Sequence, residues 1–243
     1  MSNYIYVGGK QMRLIIVGCE YSGKTTLVNE IVKWRNELMG PPTPKGIVEY
    51  HDHFTLPWVG HWDEISEIDL ATFMSLGPEL KEMFQRYQFA YHLENQLYDD
   101  SDHILIGFHI EEAVYAPRYY GYGGHKEYGD RKGLARHIDS EIAKKAPDTV
   151  LILLKATPEA IKERMKTTPH TRTVLKEEDI QSVIDEFDEE FRSSFIRNKL
   201  TIDTSESTVE ESLQEFVSNI GPFLSDRDRL RIQANQILKN ETN

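Results

Sequence analysis

The stretch GCEYSGKT, residues 18–25, follows the apolar run MRLIIV (12–17) and precedes TLVNEIVKW (26–34). A glycine, four variable residues and then Gly-Lys-Thr is the pattern of a loop that cradles phosphate. Small residues let backbone amides turn toward phosphate oxygens, and the helix that follows presents its positive end to the same charge. Gly18, Cys19, Glu20, Tyr21, Ser22, Gly23, Lys24, Thr25 and Thr26 are therefore the expected ATP or GTP contacts. Lys24 reaches the outer phosphates, and the Thr25 hydroxyl is the expected Mg²⁺ ligand. Cys19 reads as a filler residue inside the loop.

Outward from this loop, apolar strands alternate with helical segments. Residues 12–17, GIVEYHD (46–52), HILIGFHI (103–110), TVLILLK (149–155) and KLTID (199–203) read as strands. TVLILLK is continuously apolar, as in a parallel strand covered on both faces. Helical spacing marks 25–38, which ends before the prolines of GPPTP, and 79–98, whose apolar positions Leu80, Met83, Phe84, Tyr87, Ala90, Tyr91 and Leu97 form the expected inward face. Further helices are expected over 131–145, 157–166, 176–197 and 207–224. The expected architecture is α/β: a parallel five-stranded sheet with helices on both faces. One domain spans 1–224, with a lid near 164–176 and a charged, helical tail over 225–243. The glycine- and tyrosine-rich GYGGHKEYGD (121–130) reads as a mobile surface loop.

The chain has 243 residues and a formal charge of −12. Nucleic-acid binding calls for a basic face, so that class is excluded as the expectation. No run approaches the roughly 18 apolar residues of a membrane span, and the start of the chain lacks the basic, apolar pattern of a signal peptide. With one cysteine in the chain, these features place the expectation in the cytoplasm, with no membrane partner.

Four further stretches carry a resemblance. They are MFQRYQFAYHLENQL (83–97), HIEEAVYAPRYYG (109–121), KATPEAIKERM (155–165) and KLTIDTSES (199–207). In this order and spacing behind the phosphate loop, they resemble the deoxynucleoside kinases. That group belongs to the wider nucleoside and nucleotide kinase fold that includes thymidylate kinase.

The resemblance implies an ATP-dependent, Mg²⁺-dependent transfer to a nucleoside or nucleotide. Gln85 matches the base-reading glutamine, because an amide donates and accepts in one plane. Phe84 lines that pocket. Glu111 matches the carboxylate that helps hold the metal, and Arg118 matches an arginine that contacts phosphate. Arg164 matches the lid arginine that neutralises the transferring group, with Arg172 as a second. The carboxylate that accepts the substrate's proton comes from the end of the second strand: Asp52, or Glu49 as the alternative, with His53 beside the substrate. His51, Asp52, His53 and His61 also compose a His/Asp metal set, a pattern equally ordinary in plain loops. The family often pairs through helices, so a homodimer is a further expectation.

The chain departs from the family's Glu-Arg-Ser with Glu111-Glu112-Ala113, and has Pro117 where the family has a pocket aspartate. An extra acid at Glu112, if it faced the site, would favour a neutral nucleoside over a monophosphate. These departures keep two other readings open: a kinase for a non-nucleoside hydroxyl compound, and an ATP-binding regulatory module with little transfer activity.

Overall fold

The structure is a computed structural model and describes residues 12–40, 48–51, 55–56, 63–64, 66–95, 102–170 and 173–241, with only the backbone of 48–51, 55–56, 63–64, 94 and 95. The chain runs through strand β1 (Arg13–Val17), helix α1 (Lys24–Met39), strands β2 (Val48–His51), β3 (Thr55–Leu56) and β4 (Asp63–Glu64), and helices α2 (Glu67–Ser75) and α3 (Pro78–Asn95). Strand β5 (His103–Ile106) leads into helix α4 (Phe108–Tyr115), continued by a wider turn over Ala116–Tyr120. The rest is α5 (Arg131–Lys145), β6 (Val150–Lys155), α6 (Pro158–Thr167), α7 (Ile180–Ser193), β7 (Asn198–Asp203), α8 (Val209–Ile220) and α9 (Asp226–Glu241).

Five strands form one parallel sheet in the order β2-β5-β1-β6-β7. The short β3 and β4 pair separately and antiparallel. Alternation along each strand divides the core into two layers. Ile15, Val17, Leu105, Leu151 and Leu153 face one side, with Phe108 and Tyr115 of α4, Ile138 of α5 and Phe187 of α7. Leu14, Ile16, Ile104, Ile106 and Ile152 face the other, with Leu27 and Ile31 of α1 and Phe216 of α8. The most central strand, β1, ends directly in the phosphate loop, at the carboxyl edge where parallel sheets bind ligands.

Three expectations are corrected. The apolar run 103–110 is not one strand: β5 stops at Ile106, and Gly107, at φ 81°, turns the chain into α4. Phe108, Ile110 and Val114 are buried there too, so apolarity continues across the change of structure. The face of α3 is reversed. Leu80, Met83 and Tyr87 point outward, Tyr87 with 68% of its surface exposed, while Glu82, Gln85, Gln88, Phe89 and His92 are buried.

The loop 121–130 is pinned rather than free. Tyr122 is buried and its hydroxyl donates to Glu112, and the Arg131 amide donates to the Gly123 carbonyl. The tail, too, is held: α9 packs on α1. Arg231 pairs with the buried Asp102, which also binds Arg35, and Asn235 donates to the carbonyls of Glu37 and Leu38.

Among the described residues no helix is long and apolar enough to cross a membrane.

Candidate active site

The site is built from the loop outward. Gly18 has no room for a side chain, because a Cβ there would lie 2.6 Å from the Leu154 carbonyl oxygen. Gly23 closes the loop at φ 89° and hands the chain to α1. The Ser22 amide donates to the Cys19 carbonyl at 3.1 Å, which curls the loop around its own centre. The Ser22 hydroxyl is buried without a hydrogen-bond partner, an orphan inside the cradle. Burial raises the Cys19 thiol to about 12, with Lys24 only partly opposing it. A thiol so shifted stays protonated and unreactive at neutral pH, in keeping with its reading as filler.

Lys24, in the first turn of α1, donates to the Gly18 carbonyl at 2.5 Å and lies 3.2 Å from Glu111 Oε2. Glu111 sits in the first turn of α4, directly after β5. The lysine and the carboxylate therefore meet at the ends of two neighbouring strands, though 87 positions separate them along the chain.

Arg164, from α6, donates through Nη1 to the Tyr21 carbonyl at 3.0 Å and to Thr204 Oγ1 at 3.3 Å, and through Nη2 to the Thr204 carbonyl. Burial lowers its pKa, and no acid offsets that burial. A partly buried cation held only by neutral oxygens leaves a positive wall on the site.

These groups line one cleft of about 500 Å³, with Cys19–Leu27, Glu111, Arg164, Thr168, His170, Thr204, Thr208 and Ser212 around it. That volume suits a nucleotide-sized ligand. The loop, Lys24, Thr25, Thr26, Glu111 and Arg164 are thus brought together as the sequence expects. Thr25 and Glu111 are oxygen donors at the cleft wall. Mg²⁺ is held by one or two protein oxygens plus the substrate's phosphates, so this sparse donor set fits it. Among the described residues no three His, Cys, Asp or Glu side chains cluster as a metal cage.

The other expected residues lie elsewhere. Gln85 does not line the cleft. It is 1% exposed on the buried face of α3, and among the described residues neither its amide oxygen nor its nitrogen has a partner. Phe84 packs on Phe73 of α2, ring centroids 4.9 Å apart, so it closes the α2–α3 joint. Arg118 is spent on Glu186 at 3.0 Å and Asp179 at 3.9 Å, and does not face the cleft. Asp52, His53, His61 and Arg172 lie outside the described residues. Glu49 is described through its backbone alone, opposite Ile104 in the sheet.

Glu112 is fully buried between Arg131 Nε, 2.6 Å away, and the Tyr122 hydroxyl. Arg131 also reaches Glu82 at 2.8 Å and covers the Tyr122 ring. The extra acid is thus neutralised within the fold, and it supplies no repulsion at the cleft.

Sequence reasoning missed Thr204, which joins the loop to the lid by donating to the Ser22 carbonyl and accepting from Arg164. It also missed Tyr115, whose hydroxyl accepts from the Glu20 amide at 2.8 Å. The signal for Thr204 was its place just past the last strand, at the ligand-binding edge. Tyr115 carried none, because its contact spans 95 positions.

No protein-family model matches the chain, and no curated protein matches it. Solved structures do. The chain is similar to deoxyadenosine kinase from M. mycoides with bound dATP, with TM-score 0.51 and 14% identity over 86% of this chain and 99% of that one. It is similar to thymidylate kinase from Ehrlichia chaffeensis, with TM-score 0.50 and 16% identity over 86% and 98%. Thymidylate kinase from Candida albicans also matches, with TM-score 0.50 and 14% identity over 86% and 91%. The fold is that of the phosphate-loop nucleoside and nucleotide kinases.

Proposed function

We propose that the chain is a kinase that moves the terminal phosphoryl group of ATP or GTP to a hydroxyl of a nucleoside or nucleotide. The observation that carries this is the cleft itself, in which a phosphate loop, Lys24, Glu111 and the acid-free Arg164 converge on one space. Phosphoryl transfer asks a protein mainly for positioning and for positive charge around the moving group. Lys24 and Arg164 supply that charge, and the loop amides fix the phosphates. Mg²⁺, which Thr25 and Glu111 would hold, would supply further charge neutralisation to the phosphates.

The acceptor side is read from Gln85. This residue lies outside the described cleft and is closed off from solvent in this structure, so a base would meet it only after α3 moves. A buried amide with both ends unpartnered costs stability, roughly 1–3 kcal/mol for such groups. A nucleobase edge offers the donor and acceptor that would satisfy it. Glu112 gives no ground to prefer a neutral acceptor over a phosphorylated one, so both classes stand. The outward apolar stripe of α3 suits a second copy of the chain as its cover.

A panel of nucleosides and nucleotides offered with radiolabelled ATP tests this. Transfer to at least one of them is expected, and Lys24→Ala is expected to abolish it while the melting temperature holds. A wild-type protein that binds ATP but labels no acceptor would overturn the reading.

A further inference from the structure

Two of the variable loop positions, Glu20 and Tyr21, carry side chains that the phosphate-cradle role does not use. An acid inside an anion-binding loop repels the ligand unless its charge is taken up elsewhere. Here Glu20 Oε2 accepts from Thr173 Oγ1 at 2.6 Å and from the Leu175 amide at 3.1 Å, and Oε1 accepts from the Val174 amide at 3.3 Å. Tyr21 adopts a left-handed backbone, φ 64°, which a side chain of this size enters only at a cost. That turn lays its ring flat against His170, with centroids 4.0 Å and planes 17° apart. The Tyr21 hydroxyl also accepts from the His170 amide at 3.1 Å.

We infer that Glu20 and Tyr21 are positioning residues that hold the lid, residues 168–170 and 173–175, down over the phosphate cradle. Glu20 grips the returning arm, where Leu175 is sunk in the core, and Tyr21 grips the outgoing arm next to Arg164. The loop that frames the phosphate site thus also sends two side chains to the lid. Phosphate occupancy and lid closure are therefore linked, and by reciprocity each strengthens the other. A lid held shut keeps water, the competing acceptor, from the transferring group. This consequence rests on the kinase reading, whereas the latch itself does not.

Amide hydrogen exchange on the full-length, ligand-free protein tests the latch. Glu20→Gln replaces one acceptor with a donor facing donors. Exchange at Val174 and Leu175 is expected to rise about tenfold, as loss of one or two such bonds implies. Tyr21→Gly suits the left-handed backbone and removes the ring and its hydroxyl, so it is expected to speed exchange at the His170 amide. Tyr21→Phe, which keeps the stacking, is expected to fall between it and wild type.

With ATP and an acceptor present, Glu20→Gln is expected to raise the ratio of ATP hydrolysis to transfer several-fold, a change that a general loss of stability does not produce. Unchanged exchange over 168–175 in both Glu20→Gln and Tyr21→Gly would overturn the latch, as would a rise spread equally over β1 and α7. If the wild type binds no ATP, the kinase reading fails, and the exchange measurements still decide the latch.

Discussion

Helix α7 buries Ile180, Val183 and Phe187 and turns Gln181, Asp185 and Glu189 to water, whereas α3 buries Glu82, Gln85, Gln88 and His92 and turns Leu80, Met83 and Tyr87 to water. Both helices reach the same core layer, α7 through Phe187 and α3 through Phe89. For α7 the rule that an apolar stripe faces inward holds. For α3 it fails, because the face it buries is polar. Glu82 is tied to Arg131 and Arg86, while Gln85 is left without partners. Buried polar groups are normally satisfied, and an exception marks a place where the fold gives up stability for a purpose. On the proposed function, the difference separates a helix that only packs from one whose buried face would meet the acceptor and whose outward face would meet a second copy.

The largest expected effect lies on the packing helix. Phe187 is 1% exposed, meets the Tyr115 ring edge-on at 5.5 Å and lies beneath Lys24. Phe187→Ala is expected to cost about 3–5 kcal/mol of unfolding free energy in a denaturant titration, as for buried aromatic truncations generally. A cost under about 1 kcal/mol would show that the site collapses easily, and α7 would lose its standing as the packing reference.

Next comes Gln85. Replacing it with leucine removes two unpartnered polar atoms at similar volume. Gln85→Leu is expected to leave stability unchanged or raise it by up to about 2 kcal/mol. Acceptor KM is expected to rise about a hundredfold, since a site built to hydrogen-bond its substrate loses heavily when that bond goes. A fall in stability with unchanged KM would make Gln85 a structural residue and remove the contrast between the two helices.

A gentler probe is pH, acting at the far end of α7. Asp139 of α5 accepts from the Ser194 hydroxyl, the Phe195 amide and His109. Burial alone would raise its carboxyl, but the His109 contact and the charge of Arg136 outweigh it and hold the pKa below the usual value. A depressed carboxylate stabilises the fold above its unfolded pKa, and that contribution is lost as pH falls through the folded one. Stability is therefore expected to fall as pH drops below the ordinary aspartate value of about 3.9 and on through the lower folded pKa. Asp139→Asn should flatten that limb in unfolding curves taken at stepped pH. An unchanged acid limb in the variant would show that other carboxylates carry it.

What could be read from the sequence follows the range of the interactions. The phosphate loop was legible because its determinants sit within eight residues and act through backbone geometry. The sheet was legible from its apolar runs. Strand β5 was overrun into α4 because Phe108, Ile110 and Val114 are buried in a helix that the core surrounds, so period carried no signal. Arg118 was read toward phosphate because its partners, Asp179 and Glu186, lie more than 60 residues away. The inversion of α3 was hidden for a related reason. A stripe at helical spacing says that something covers it, but not whether that cover is the chain's own core.

The smallest expected effect on stability tests that last point. Met83 and Tyr87 lie one turn apart on the outward face of α3, 59% and 68% exposed. In an isolated chain, a charge at such positions changes stability by no more than about 0.5 kcal/mol. In a pair of chains it would be buried against apolar surface and strongly disfavoured. Tyr87→Lys is therefore expected to unfold at the same denaturant concentration as wild type when both are dilute, and to run as a monomer by light scattering at concentrations where wild type runs as a dimer. The face of a helix that its own core leaves uncovered would then be accounted for by a second copy. A wild-type protein that stays monomeric would instead leave the stripe as exposed apolar surface, and the comparison with α7 would rest on the ligand side alone.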